Sequence, residues 1–382
     1  MKINFISYNN GYGLTKDMEL LKQNLDTIYD NLDIQICDFF DHKIRNADIN
    51  IFFEIISNIL IKKARYNILI PNQEWFYKNW IDYLENIDLV LAKTEYGKQI
   101  FSRFTTTQFI GWESEDLLND DNKEYDSVLH SCGKSMFKQT QFILNNWEHT
   151  FPHLTVVYQE DKMKLNCPIQ NNITYISKRL NNNEMKSIMN QKGIHLCCSE
   201  TEGFGHYINE SRSCKNVIIT TDAEPMKSFI SNPKYLVKVE QQIKLDNVLD
   251  FKNILDVSSF KNTIRNIMKT TKKEFIKEGE ENRNNFLKDR LTFRNNIKNI
   301  FDELFFKIKN QISNETIIND INNLPKISIV TITRNREKFI KLCLLNIFQS
   351  NFPLDKIEWI IIDDSDTTIK QFLPNNNFIK YC

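Results

Sequence analysis

The chain has 382 residues, 41% of them hydrophobic, enough for about two to three domains with real cores, which excludes a disordered or fibrous protein. Its 49 basic and 49 acidic residues cancel, so no global field draws it to nucleic acid or an anionic membrane, and any affinity for phosphate has to be local. The longest apolar runs, such as 51–61 broken by Glu54 and Asn58, fall short of the roughly 20 residues of a membrane span.

The opening Met1-Lys2-Ile3-Asn4-Phe5-Ile6 reads as a strand and lacks the basic stretch and apolar core of a secretory signal. The eight cysteines (Cys37, Cys132, Cys167, Cys197, Cys198, Cys214, Cys343 and Cys382) are scattered with no C-x-x-C pair. Reduced thiols in a cytoplasm are therefore expected, with neither a disulfide framework nor a metal site.

Short β-branched and aromatic runs at 3–7, 34–38, 49–53, 66–70, 89–92 and 108–110 alternate with helical patterns. That alternation predicts βαβ units and a parallel sheet. After a polar stretch the pattern restarts, with strands expected at 127–131, 155–158, 173–176, 194–197, 217–220 and 235–239. The fold class expected is α/β, with two Rossmann-like domains, 1–120 and 121–310, facing across a cleft where a ligand binds by default. Residues 260–309 carry a charged, helix-period pattern and are expected to pack against the preceding domains. A polar linker, 311–324, leads to a strand at 326–332, a helix at 336–349 and a strand at 359–362 that ends in Asp363-Asp364-Ser365-Asp366. This third unit, 325–382, holds about one βαβ, too small to be a robust independent domain.

The segment from Ile194 to Glu210 is the most informative. A strand ends near Cys198, glycines flank Phe204, and a helix is expected to open near Gly205. Such a turn presents free backbone N–H groups and a positive dipole end to a phosphate. Glu202 lies on the loop and Glu210 two turns into the helix, where carboxylates beside a phosphate suit sugar or ribose hydroxyls. They read equally well as a solvated loop residue and a helix-surface residue.

A second segment, Gly133-Lys134-Ser135-Met136-Phe137-Lys138, follows the first strand of the second unit. A P-loop is excluded, because the glycine required five positions earlier is Val128. Lys134 and Lys138 nonetheless sit at a strand-to-helix turn, placed to neutralise a leaving diphosphate or to be solvated there. Gly11 and Gly13 follow the very first strand and let the backbone approach a ligand or make a plain turn. Asn72-Gln73-Glu74-Trp75 and Lys93-Thr94 end later strands on the same edge, fit to bind an acceptor or to serve capping and core packing by Trp75. Of the six histidines only His206 lies beside the Gly203-Phe204-Gly205 turn, and it reads as a helix-start residue.

Glu202-Gly203-Phe204-Gly205 through Glu210, followed by Val217 to Asp222, resembles the E-x7-E signature of GT-B glycosyltransferases of family 4. The resemblance implies that Glu202 and the Gly203-Phe204-Gly205 backbone face the donor sugar and phosphate, and that Glu210 holds the donor ribose. It casts Gly133, Lys134 and Lys138 as the family's Gly-Arg and following lysine, and Gly11 and Gly13 as the loop facing the donor phosphates. Lysine for arginine loses bidentate geometry. Ser228 stands where many members have a glutamate, and the histidine common in the family's first domain has no match. The third unit, from Ile327 to Arg336 and from Trp359 to Asp366, resembles the start of a family 2 GT-A domain, whose acids hold nucleotide base and ribose.

Together these features lead to the expectation of a retaining glycosyltransferase. It would move a hexose-type sugar from a nucleotide sugar, which is a substrate and not a cofactor, to a glycan, protein or other hydroxyl acceptor without metal. A nucleotide-sugar epimerase or phosphorylase on the same fold, or a non-catalytic glycan-binding or scaffold protein, are the alternatives.

Overall fold

A computed structural model describes residues 1–8, 13–40, 44–119, 122–311, 325–348, 350, 352–366, 368–374 and 376–382. The first unit consists of β1 (Lys2–Ser7), α1 (Gly13–Ile28), β2 (Asp33–Asp38), β3 (Ala47–Phe53), α2 (Asn58–Ile61), β4 (Ala64–Ile70), β5 (Leu89–Ala92), α3 (Glu95–Phe101) and β6 (Thr107–Phe109). Its six strands pair in parallel in the order β2-β1-β3-β4-β5-β6. Such a sheet is covered on both faces, so its strands read as near-continuous apolar runs. Ile3, Phe5, Ile49, Ile51 and Phe53 face one core, and Ile6, Phe52 and Leu69 face the other.

The second unit repeats the plan with β7 (Glu124–Gly133), α4 (Thr140–Asn146), β8 (His153–Tyr158), β9 (Ile173–Ile176), α5 (Asn182–Gln191), β10 (Lys192–Cys197), α6 (His206–Ser213), β11 (Val217–Thr221) and β12 (Leu236–Val237). The strand order is β12-β11-β10-β7-β8-β9, again all parallel. The single strand expected at 235–239 is instead two, because the chain leaves the sheet after Val237. It then forms an antiparallel hairpin of β13 (Val239–Lys244) and β14 (Phe251–Leu255). That hairpin reaches the first unit, where Lys78 N donates to Asn247 O at 2.9 Å and Tyr96 Oη donates to Asp250 Oδ1 at 2.8 Å.

Two helices follow, α7 (Val257–Met268) and α8 (Lys272–Gln311), the latter 40 residues long. α8 serves both units. Its first half packs on the second, where Arg212 and Asp289 pair at 2.8 Å, and from Phe293 to Ile308 its apolar face lies in the core of the first. The connection from β6 to β7 runs beside it. Arg283 grips Asp116 with two bonds of 2.7 and 2.8 Å, and Arg290 Nε reaches Glu113 at 2.9 Å. The two crossings between the units are thus tied together.

The third unit contains β15 (Ile327–Thr333), α9 (Glu337–Phe348), β16 (Ile357–Asp363) and β17 (Ile379–Tyr381), with the parallel order β15-β16-β17. Gln311 ends α8, and the rest of the expected linker, 312–324, lies outside the described residues. The small unit completes its core against the first one. Ile340, Leu344 and Phe348 join the cluster of Phe39, Phe52 and Trp80, and Ser57 Oγ donates to Phe348 O at 3.1 Å. No described helix is long and apolar enough to cross a membrane.

Candidate active site between the two units

In each sheet two neighbouring strands have connections that depart in opposite directions, β1 and β3 in the first and β7 and β10 in the second. The crevice beyond the carboxyl ends of such a strand pair is where open α/β sheets bind ligands. After β7 the chain turns through Gly133 at φ +57° to an exposed Lys134 and a largely buried Lys138. After β10 it runs through Ser199 and Glu202 to Gly205, whose φ of +86° favours glycine and places it at the start of α6.

Lys138 and Glu202 form an ion pair, and the ammonium also lies 3.3 Å from the centre of the Tyr207 ring. Ser199 Oγ donates to Glu202 Oε1 at 2.6 Å and shares a second hydrogen bond, also 2.6 Å, with Tyr207 Oη. Burial and the Glu202 charge push the Tyr207 phenol well above its usual range, so it stays neutral. Glu210 turns from α6 toward the first unit, where Lys16 Nζ of α1 donates to its Oε1 at 2.5 Å. Burial opposes its ionisation, but Lys16, His206 and Lys138 outweigh burial and hold the carboxyl below the usual range. Lys138 is thus near enough to Glu210 to help keep that carboxylate ionised. Beneath Glu210 lies a cavity of ≈ 90 Å³ bordered by Ser131, Met185, Met189, Cys197 and Tyr207.

Lys138 and Glu202 are thus joined directly, Gly203 and Gly205 sit on the same loop as Glu202 and Glu210 on the helix that it opens, while Gly133 and the exposed Lys134 end the neighbouring strand β7. Phe204 is expected to offer its backbone, and its side chain points away from the loop. Its side chain is buried in the core of the first unit and edge-on to Phe229, leaving only backbone to face a ligand. Gly13 is exposed at the start of α1, and Gly11 lies outside the described residues. Trp75 is not a core residue. It is 44% exposed and sets its edge against Phe137 of the second unit, centroids 5.4 Å apart.

The facing wall comes from the first unit. Gln73 Nε2 donates to Glu202 O at 2.6 Å, and Gly203 approaches so closely that a Cβ there would stand 2.5 Å from Asn72 Oδ1. Thr94 caps α3 by accepting from Gly97 N. Lys93 pairs with Asp17 at 2.5 Å and donates to Asn72 Oδ1 at 3.0 Å. Asp17 also accepts from Trp112 Nε1 at 2.6 Å and meets His206 Nε2 at 3.0 Å, so the histidine at the start of α6 links the units. Burial opposes ionisation of Asp17, but Lys93 and His206 hold its carboxyl down at about 2.

Lys16, Asp17 and Tyr207 are the site residues that motif reading passes over. Asp17 did leave a signal: it falls on the apolar stripe of α1 with Leu14, Met18, Leu21 and Leu25, where a charge has to be paired.

Residues 155–251 match the family model of Glycosyl transferases group 1. A search of curated proteins finds no match. Among solved structures, sucrose-phosphate synthase from Thermosynechococcus elongatus aligns with 80% of this chain and 99% of its own at 11% identity and a TM-score of 0.59. A glycosyltransferase from Rickettsia africae gives the same TM-score at 14% identity, over 80% of this chain and 98% of that one. Anabaena HepE in complex with UDP aligns over 80% and 100% at 12% identity, with a TM-score of 0.56. The fold of this chain is that of the GT-B glycosyltransferases, two parallel-sheet Rossmann-like domains, with a stretch of the second matching glycosyl transferases group 1.

Proposed function

We propose that the chain transfers a hexose-type sugar from a nucleotide-sugar donor to an acceptor hydroxyl, with retention at the anomeric carbon and without a metal. The observation that carries this reading is the convergence of Lys138, Glu202 and Glu210 beside the start of α6, at the strand pair where the second sheet changes direction.

The anomeric carbon–oxygen bond to the diphosphate breaks, a bond from the acceptor oxygen forms on the same face, and the acceptor proton leaves with the nucleoside diphosphate. Negative charge grows on the departing phosphate, so Lys138, Lys134 and the N–H groups at the start of α6 lower the barrier by binding that charge more tightly in the transition state. Glu202, fixed by Ser199, orients the sugar. Glu210 receives the ribose, exchanging its contact with Lys16 for hydroxyls. Contacts across the cleft, such as Gln73 to Glu202 O, exclude water and with it hydrolysis. The domain division follows, residues 1–120 on the acceptor side and 121–310 on the donor side, in a reducing cytoplasm.

We assign the third unit as the opening of a family 2 type GT-A domain. The β15–β16 pairing sets Asp363 to Asp366 at a strand end, and Asp363 accepts from Ser365 and Tyr381.

Incubating the chain with a panel of nucleotide sugars, and following nucleotide release with and without acceptors, tests the reading. Acceptor-dependent release is expected. Release driven by inorganic phosphate would identify a phosphorylase, an isomerised donor an epimerase, and binding without turnover a scaffold. Glu202→Ala and Lys134→Ala that leave transfer untouched would refute the site assignment.

A further inference from the structure

The hairpin of β13 and β14 grips the loop after β10 immediately before Glu202. Glu200 O accepts from Asn253 N at 2.9 Å and from Asn253 Nδ2 at 2.7 Å, and Lys252 pairs with the Glu200 carboxylate at 3.0 Å. Thr201 Oγ1 donates to Asp250 Oδ2. The tip of the same hairpin is docked on the first unit. Lys78 Nζ donates to Leu245 O at 2.8 Å and to Asp246 O at 2.7 Å, and Leu249 N donates to Phe76 O at 3.2 Å. Five of the six residues of β13 are exposed, so these bonds to the two units place the hairpin more than burial does.

Asp250 is where the three parts meet. It is 2% exposed, its Oδ1 accepts from Tyr96 Oη of α3 and from Phe251 N, each at 2.8 Å, and its Oδ2 accepts from Thr201. Hydroxyl and amide hydrogens, with no cation among the described residues, compensate this buried carboxylate. Its burial therefore depends on all of those donors being in place together. One hydroxyl belongs to each unit, Tyr96 to the first and Thr201 to the second. Thr201 directly precedes Glu202, whose carbonyl accepts from Gln73 of the first unit at 2.6 Å. The first unit thus holds the Glu202 turn by two routes, directly through Gln73 and through Asp250 of the hairpin.

We infer that Asp250 is a positioning residue for sugar transfer: by binding Tyr96 and Thr201 together, it sets the Glu202 turn in its working place only while the two units are closed. The assignment rests on the transferase reading and adds to it a link between closure and the orientation of the sugar. Parting the units lengthens one arm or the other, the Tyr96 bond or the Thr201 bond, and either event frees the turn from the first unit. A donor in the open chain is then not aligned for attack, which protects it from water until the cleft has shut.

The test uses the full chain and the donor that passes the nucleotide-release screen. Tyr96→Phe and Thr201→Val each delete one arm with little change of shape. Each is expected to lower kcat about 10-fold while affinity for the nucleoside diphosphate, read by calorimetry, stays within about twofold. The double variant should lie within about threefold of either single one, because both changes break one link; independent losses would multiply to about 100-fold. Asp250→Asn, which keeps one acceptor oxygen, should retain more activity than Asp250→Ala. Hydrogen exchange reads the link without turnover: Tyr96→Phe, a change in the first unit, should speed exchange at the amides of Glu200 and Asn253 in the second at least about threefold. Tyr96→Phe carries the test if Thr201→Val does not fold. Single-variant kcat values within about twofold of the parent, losses that multiply, or unchanged exchange at those amides overturn the inference and leave the transferase reading standing. A parent chain that binds no nucleotide sugar overturns that reading and this one with it.

Discussion

Replacing Lys138 with methionine keeps the length of the side chain and removes one charge, which separates two quantities. Lys138 and Glu202 are only 13% and 14% exposed, so loss of the ammonium leaves the Glu202 carboxylate with Ser199 Oγ and little water. Stripping a buried ion of its partner costs about 3–5 kcal/mol, and the surviving hydrogen bond and partial exposure bring the expected loss of stability to about 2–3 kcal/mol. The kinetic effect is separate: a cation absent where phosphate charge develops costs about 10²–10³ in kcat, or about 2.7–4 kcal/mol. Adding Glu202→Gln to the first change removes the stranded charge. The double variant should then recover about 1–2 kcal/mol over the sum of the single changes, without recovering activity. Denaturant melts at constant pH and single-turnover assays with saturating donor read the two effects. A kcat within about threefold of the parent, or stability changes that add within about 0.3 kcal/mol, would refute the placement of this pair beneath the leaving group.

Three further outcomes follow from the geometry. Asp17, held at about 2 against an ordinary 3.8, stabilises the fold above its unfolded pKa by about 2 kcal/mol, and this is lost as pH falls from about 4 to about 2; Asp17→Asn should flatten that limb of a stability–pH profile. Glu54 has the opposite sign: its raised pKa disfavours the fold increasingly as pH climbs from about 4.5 to about 7. Glu54→Gln should therefore add about 1–3 kcal/mol at pH 8 and little near pH 4, read in urea titrations at both values. Gly279 of α8 abuts the carbonyl oxygen of Lys215, leaving no room for a Cβ, so Gly279→Ala should cost about 1–3 kcal/mol in thermal melts although it raises helix propensity.

The strands were legible because each is an apolar run between turn residues, and the loops after β7 and β10 because glycines and charges interrupt the pattern at fixed places. The hairpin of β13 and β14 was not, since Glu240-Gln241-Gln242 carries no apolar alternation and is held by backbone pairing and by Asp250. The facing wall was also hidden. Asp17, Lys93, Trp112 and His206 lie up to 189 positions apart, and only the closed sheets bring them within 3.0 Å of one carboxylate. Trp75 misled in the other direction, because residue type favours burial while its place at a strand end leaves the ring in solvent.

The two crossings between the units, α8 and the segment around Glu113 and Asp116, are stitched side by side by Arg283 and Arg290. With a rise of about 1.5 Å per residue, α8 is a rod about 60 Å long that belongs to both halves. Such a spine permits the halves to swing like the covers of a book and resists sliding or twisting. With the stitched edge fixed, any parting of the halves has to happen at the opposite one, where the contacts of His206 with Asp17 and of Gln73 with Glu202 would have to break.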